Sequence, residues 1–455
     1  MNKELYPLTP AQHILFFSQK YSFQKQINNV STLLLLEGET DFELLKDSAL
    51  KAFQRMDSFR IRLTSHEDKI KQYFVDKEEP ELHILDLKDT SDEDTETLFR
   101  KLASKRVTHF DKPLSRIYLL KNCRGMKGIF FVVSHLILDS WGICNFFKDV
   151  MGIYEALKNS EELPKPPSEY KSVMEEELNY INTPQYARDK EFWAKEFNPD
   201  NEPMYTHLNG PKALDKARKK TKDPSCRKAN TVALITFAAH EIHLISSETV
   251  MKMKDFCSQY RLPIQTMIML AYRSYLSKVN RREKDVIFFT ILARRGTVKE
   301  KNSGGSRVYF IPFRTVIDED TTFLEALEII AEKQSSIYKH SAINPLEVLE
   351  LMKKVYNVKP TQGYSTGSLT FQPIPLVGPK GTKIHTKWYC NGAASNVFYA
   401  TVMDDDGSGA LRFYYEYQKM VLKPEKIRDF HNYMLRFIDA GINNKDTTLK
   451  ELLNL

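Results

Sequence analysis

The chain has 455 residues with 42% hydrophobic content, enough for two or three units of ordinary size with substantial cores, which excludes a disordered chain. No stretch reaches the roughly 18 uninterrupted apolar residues of a membrane span, and Met1 to Pro7 lacks a basic segment followed by an apolar one. The expectation is a cytoplasmic protein. The net charge of +7 is spread among acidic residues, which argues against nucleic acid as a partner. The five cysteines, Cys123, Cys144, Cys226, Cys257 and Cys390, form no C-x-x-C pair, so they read as reduced thiols rather than a disulfide framework or zinc site.

In chain order, Asn29 to Glu37 reads as a strand and Phe42 to Gln54 as a helix with Leu45, Ala49 and Phe53 on one face. Phe59 to Leu63 and Ile70 to Val75 read as a strand pair. Ser91 with Asp94 predicts a cap for a helix to about Thr108. Arg116 to Lys121 and Gly128 to Ser134 are the next strands, followed by a helix from about Trp141 to Leu157. Leu163-Pro164-Lys165-Pro166-Pro167 breaks regular structure and divides the chain into lobes at 1–168 and 169–455. Glu175 to Phe197 reads as one helix. The basic run from Lys212 to Lys228 reads as a solvated loop, and Ala233 to His243 as a strand. Two amphipathic helices come next, carrying Met253, Phe256, Cys257 and Tyr260, then Ile264, Met267, Ile268, Ala271 and Tyr275. Val286 to Leu292 is a buried-strand run, and Thr322 with Glu325 is a capping box for a helix through Tyr338. A hairpin turning at Asp404 to Gly407 and a helix from Pro424 to Ile438 complete the pattern. The fold class is α/β (α+β), in two lobes with mixed sheets.

The most informative stretch runs Phe130-Phe131-Val132-Val133-Ser134-His135-Leu136-Ile137-Leu138-Asp139-Ser140-Trp141-Gly142. An apolar strand delivers a histidine, and an aspartate follows four residues later; no other histidine here has that neighbour. The alternative is a core histidine paired with a nearby acid. Competing motifs are weaker. Gly363-Tyr364-Ser365-Thr366-Gly367 matches a nucleophile elbow in spelling, but Pro373 and Pro375 forbid the helix an elbow needs. His240 and His243 lie three apart on a strand, not four apart on a helix. Ser303-Gly304-Gly305-Ser306 lacks a phosphate-loop lysine and reads as a loop.

The ordered set of motifs resembles condensation domains of nonribosomal peptide synthesis, within the chloramphenicol-acetyltransferase-like superfamily. Their signature H-H-x-x-x-D-G-W-S is matched by His135, Asp139 and Trp141, with Ser134 and Ser140 replacing the first His and the Gly. Leu8-Thr9-Pro10-Ala11-Gln12, Arg55 to Arg60, Phe110 to Arg116, Tyr170, Phe192-Trp193, Ile287 to Arg294 and Arg307 to Arg314 resemble the other family motifs in order. The resemblance implies two acetyltransferase-like lobes in a V around a substrate tunnel. It implies acyl transfer from a phosphopantetheine thioester, on a carrier protein or coenzyme A, to a small-molecule amine. Ester formation with an alcohol and a non-catalytic docking role are the alternatives. His135 is expected to be the base or to position the transition state. Asp139 is expected to hold the catalytic loop by pairing with Arg294, with Arg295 as the adjacent alternative. Trp141 is expected to pack, while Tyr309, Ser395 and Asn396, with Asn391, are expected near the tunnel and acceptor. The resemblance requires no metal and no permanently bound cofactor. It offers the Lys212 to Lys228 run a second reading, a dock for an acidic carrier protein or coenzyme A phosphates. Any adenylating or carrier partner is expected to act in trans.

Overall fold

The computed structural model describes residues 3–232, 235–372 and 374–455. The apolar run Asn29–Leu36 pairs on both sides, with Met126–Ser134 and with Ile384–Tyr389. Ser115–Cys123 and Leu82–Asp86 extend this sheet to five strands. Because both faces are covered, these strands read as continuous rather than alternating hydrophobic runs. Leu34, Leu36, Ile129, Phe131 and Val133 pack toward helices Phe42–Arg55 and Ser140–Asn159. Leu33, Leu35, Phe130 and Val132 pack with Phe99 from helix Asp92–Ser104.

A second sheet has six strands in the order Val308–Val316, Asp285–Ala293, Gly367–Gln372, Phe398–Met403, Leu411–Gln418 and Ala238–Ile245. It is mixed, since Gly367–Gln372 runs parallel to both of its neighbours. One face carries Phe288, Phe313, Phe398, Phe413 and Tyr415 into a core with helices Ile264–Val279, Phe323–Lys339 and Pro424–Asn443. The opposite face turns toward the first sheet.

The two sheets are interlocked. Ile384–Tyr389 lies far beyond residue 168, yet it forms an edge of the first sheet. It satisfies backbone groups of Asn29–Leu36 that would otherwise be left unpaired. The carboxylate of Asp57, in a short 3₁₀ turn, accepts the backbone N–H groups of Tyr170 and Lys171 at 2.8 Å each, capping the helix Tyr170–Asn179 from the first lobe.

Several local expectations differ from the structure. The predicted Glu175 to Phe197 helix is two helices, Tyr170–Asn179 and Pro184–Glu196. Pro184 has no N–H for a continuing turn and instead opens the second helix. The predicted solvated loop after Lys212 contains a helix, Lys212–Thr221. Leu214 is buried beside Tyr205 and Ala229, and Arg218, Lys219 and Lys220 occupy its C-terminal turn, where the helix dipole favours cations. The helix capped by Ser91 stops at Ser104, short of Thr108. The segment from Phe59 begins as the Asp57–Arg60 turn, with strand only from Ile61. The strand expected from Ala233 starts at Ala238, and Ala233 and Leu234 lie outside the described residues. The Thr322–Glu325 capping box forms as expected. No described helix is long and apolar enough to cross a membrane.

Candidate active site

The Met126–Ser134 strand is held in register by its apolar neighbours and ends by delivering His135. The His135 N–H donates to the carbonyl of Asn28 at 2.7 Å, and Ser134 pairs across from Asn29. The imidazole lines a cavity of about 390 Å³ between the two sheets. Its Nδ1 lies 3.4 Å from Ser306 Oγ. Burial lowers the His135 pKa below the ordinary histidine value, and the nearby Asp139 charge opposes that shift without reversing it. The neutral, proton-accepting form is therefore favoured at pH 7.

Asp139 points away from the cavity. It is the N-cap of helix Ser140–Asn159 and accepts the Gly142 N–H at 2.8 Å. Both carboxylate oxygens accept from Arg295 Nη2, at 2.9 and 3.0 Å, and Oδ2 also accepts the Arg307 N–H at 2.9 Å. Both side chains of this ion pair are fully buried. Arg295 further donates to the carbonyls of Glu300, Ser303, Gly304 and Gly305. The pair thus fastens the 303–307 loop, which presents Ser306 to His135.

This corrects the expected partner, which is Arg295 and not Arg294. Arg294 is the first residue beyond strand Asp285–Ala293, and its guanidinium lies over the rings of Tyr180 and Tyr309 and donates to the Ala342 carbonyl. Tyr309 is a second correction. Strand alternation turns Val308 and Phe310 into the cavity, while Tyr309 faces the helical core and donates to Glu177 at 2.8 Å.

The remaining expected residues divide by location. Ser140, Asn391, Ser395 and Asn396 line the cavity with His135. Asn396 donates to Ser368 Oγ at 3.0 Å. Asn391 donates to the carbonyls of Ile27 and Asn29, fastening its loop to the strand that pairs with the histidine strand. Ser134 is fully buried away from the cavity, bonded to Thr108 Oγ1 at 2.8 Å. Ser140 occupies the first helical turn, so its replacement of Gly meets no left-handed backbone. Trp141 does more than pack: its indole N–H donates to the Lys301 carbonyl at 2.9 Å, across to the second lobe.

Sequence reasoning missed Ser306 and Gly305. Their one signal was the Ser-Gly-Gly-Ser run, read only as a loop. Gly305 sits at φ +83°, and a Cβ there would come within 1.9 Å of the Tyr170 ring. Only glycine allows that approach. The rival motifs carry no comparable constellation. Ser365 is buried and bonds to Gly367 in its own turn, and His243 pairs with Glu241 on an edge strand. Pro373 lies outside the described residues. All five cysteines are free thiols.

Two interlocked sheets with a histidine at a strand end between them define the chloramphenicol-acetyltransferase-like fold. The family described as Condensation domain matches residues 2–455, and the chain belongs to that family. A plipastatin synthase of Bacillus subtilis (strain 168) is 22% identical over 99% of this chain, and tyrocidine synthase 2 of Brevibacillus parabrevis is 23% identical over 77%. The chain spans only 17% and 9% of those two synthases. Among solved structures, the starter condensation domain of rhizomide synthetase in complex with C8-CoA superposes with a TM-score of 0.82 at 16% identity, covering 98% of this chain and 96% of that one. The condensation domain from Monacolin K polyketide synthase gives 0.81 at 14% identity, covering 98% and 99%.

Proposed function

We propose that this chain transfers an acyl group from a phosphopantetheine thioester, on a carrier protein or coenzyme A, to an amine, forming an amide. The observation that carries the reading is the position of His135 on the wall of a substrate-sized cavity built by both sheets, where burial favours its neutral form. The likeness to a condensation domain in complex with C8-CoA supports a thioester donor.

The amine lone pair attacks the thioester carbonyl, the C–S bond breaks, and the thiolate leaves on the pantetheine arm. The nitrogen must lose a proton as the C–N bond forms. In the tautomer with the proton on Nδ1, that N–H donates to Ser306 Oγ, 3.4 Å away, and the Nε2 lone pair is the one that takes the amine proton. General-base assistance of this kind contributes roughly 10²–10⁴-fold in rate. Asp139 and Arg295 act as positioning residues, since neither reaches the cavity. Ser395, Asn396 and Asn391 supply polar groups to the same cavity and are the candidate contacts for the acceptor.

The test is turnover followed by mass spectrometry. Acyl-pantetheine thioesters serve as donors and pooled amines and alcohols as acceptors, with His135→Ala beside the native protein. Amide that disappears in the variant is the expected result. Ester in its place would assign an alcohol acceptor. Product formed equally well by His135→Ala would overturn the role of the histidine.

A further inference from the structure

Among the described residues, the cavity wall carries one carboxyl group, Glu416, and no lysine or arginine. Glu416 lies on strand Leu411–Gln418, directly across from His240 on one side and Tyr399 on the other. Directly opposed residues face the same side of a sheet, and all three line the cavity. Tyr399 already bonds to Thr370. Among the described residues, Glu416 has no salt-bridge partner, and its side-chain neighbour is the thiol of Cys390, another cavity residue. The cavity wall as a whole is largely apolar, and Tyr414, two residues before Glu416 on the same strand, lines the same cavity.

An unpaired carboxyl in such surroundings is costly to ionise unless a ligand supplies the cation. Burial accordingly pushes the Glu416 pKa up to about 7. A cavity built only for a hydrocarbon chain has no use for this group.

We propose that Glu416 is a specificity-determining residue that binds a second, non-reacting ammonium group on the substrate, selecting a diamine or basic amino-acid unit. The inference rests on the acyl-transfer reading for its kinetic readout, but not for its binding readout. Binding strengthens as pH rises through about 7, because only the ionised carboxylate pairs with the ammonium. The titratable groups facing Glu416 are Cys390, whose thiol burial holds well above its ordinary range, Tyr399, also raised by burial, and His240, which burial lowers. Lys387 and Arg100 further lower His240, and Lys419 acts on Cys390.

The experiment pairs a series of α,ω-diamines of increasing length with n-alkylamines carrying a methyl group where the second amine stands. In the native protein the best-fitting diamine is expected to exceed its alkylamine in kcat/KM by about 10–100-fold, the range of one charge-assisted hydrogen bond. Glu416→Gln should bring that ratio close to one while alkylamine turnover persists, which also shows that the variant is folded. Calorimetric binding of the same diamines to His135→Ala, with and without Glu416→Gln, provides a readout independent of turnover. Loss of diamine affinity only when Glu416 is changed supports the inference, even if no acceptor is ever acylated and the catalytic reading fails. Equal affinities, equal ratios, or no diamine binding to either protein would overturn it, even if His135-dependent amide formation stands.

Discussion

The buried Asp139–Arg295 pair allows a quantitative test. Asp139→Asn keeps the size of the side chain and an oxygen for the Gly142 N–H, but leaves the Arg295 charge without a counter-ion at a fully buried position. Arg295→Gln leaves the reverse charge. Breaking a buried pair by removing one partner typically costs about 3–5 kcal/mol, because the remaining charge cannot reach water. The carbonyls of Glu300, Ser303, Gly304 and Gly305 still hold Arg295 after Asp139→Asn, which places that variant near the lower end. Arg295→Gln abandons those carbonyls as well and belongs near the upper end. The double variant orphans neither charge, so its loss should fall short of the sum of the single losses by about 1–3 kcal/mol. Urea denaturation of the four proteins measures stability, and turnover measures how far the loop is displaced from His135. Single losses below about 1 kcal/mol, or strict additivity, would refute the claim that this pair holds the loop. Arg294→Gln is the control. It lacks a contact with Asp139, so it should not show the coupling.

Other outcomes follow from the same geometry. With the His135 pKa lowered by burial, the base stays neutral through the ordinary histidine value of about 6.5, and activity should fall only at lower pH. The unfolded chain takes up this proton first, so the associated stability is also lost as pH drops below about 6.5; pH–rate and pH–melting profiles in a Glu416→Gln background check both signs. Gly305→Ala should cost about 2–4 kcal/mol, from the left-handed backbone and the clash with Tyr170, and should abolish turnover; a melting temperature within a degree of the native protein would contradict this. Ser140→Gly should leave stability within about 1 kcal/mol while enlarging the cavity beside His135, read as a shift toward bulkier substrates in competition assays.

Local and short-range features were legible in the sequence. The continuous apolar run before His135 requires a strand covered on both faces, and the helix expected from about Trp141 follows it. The Thr322–Glu325 box and the Asp404 hairpin likewise follow from interactions within a few residues. Tertiary structure alone decided which of two adjacent arginines reaches Asp139, because Arg294 and Arg295 leave the chain in different directions and only the second faces the first lobe. It also turned Tyr309 out of the cavity, through a strand register that depends on the partner strand Asp285–Ala293. It brought Ile384–Tyr389 to the first sheet and set Glu416 opposite His240. Those last two pairings join residues far apart in the chain, and they are selected by which edges and faces can be buried together, a property no local pattern encodes.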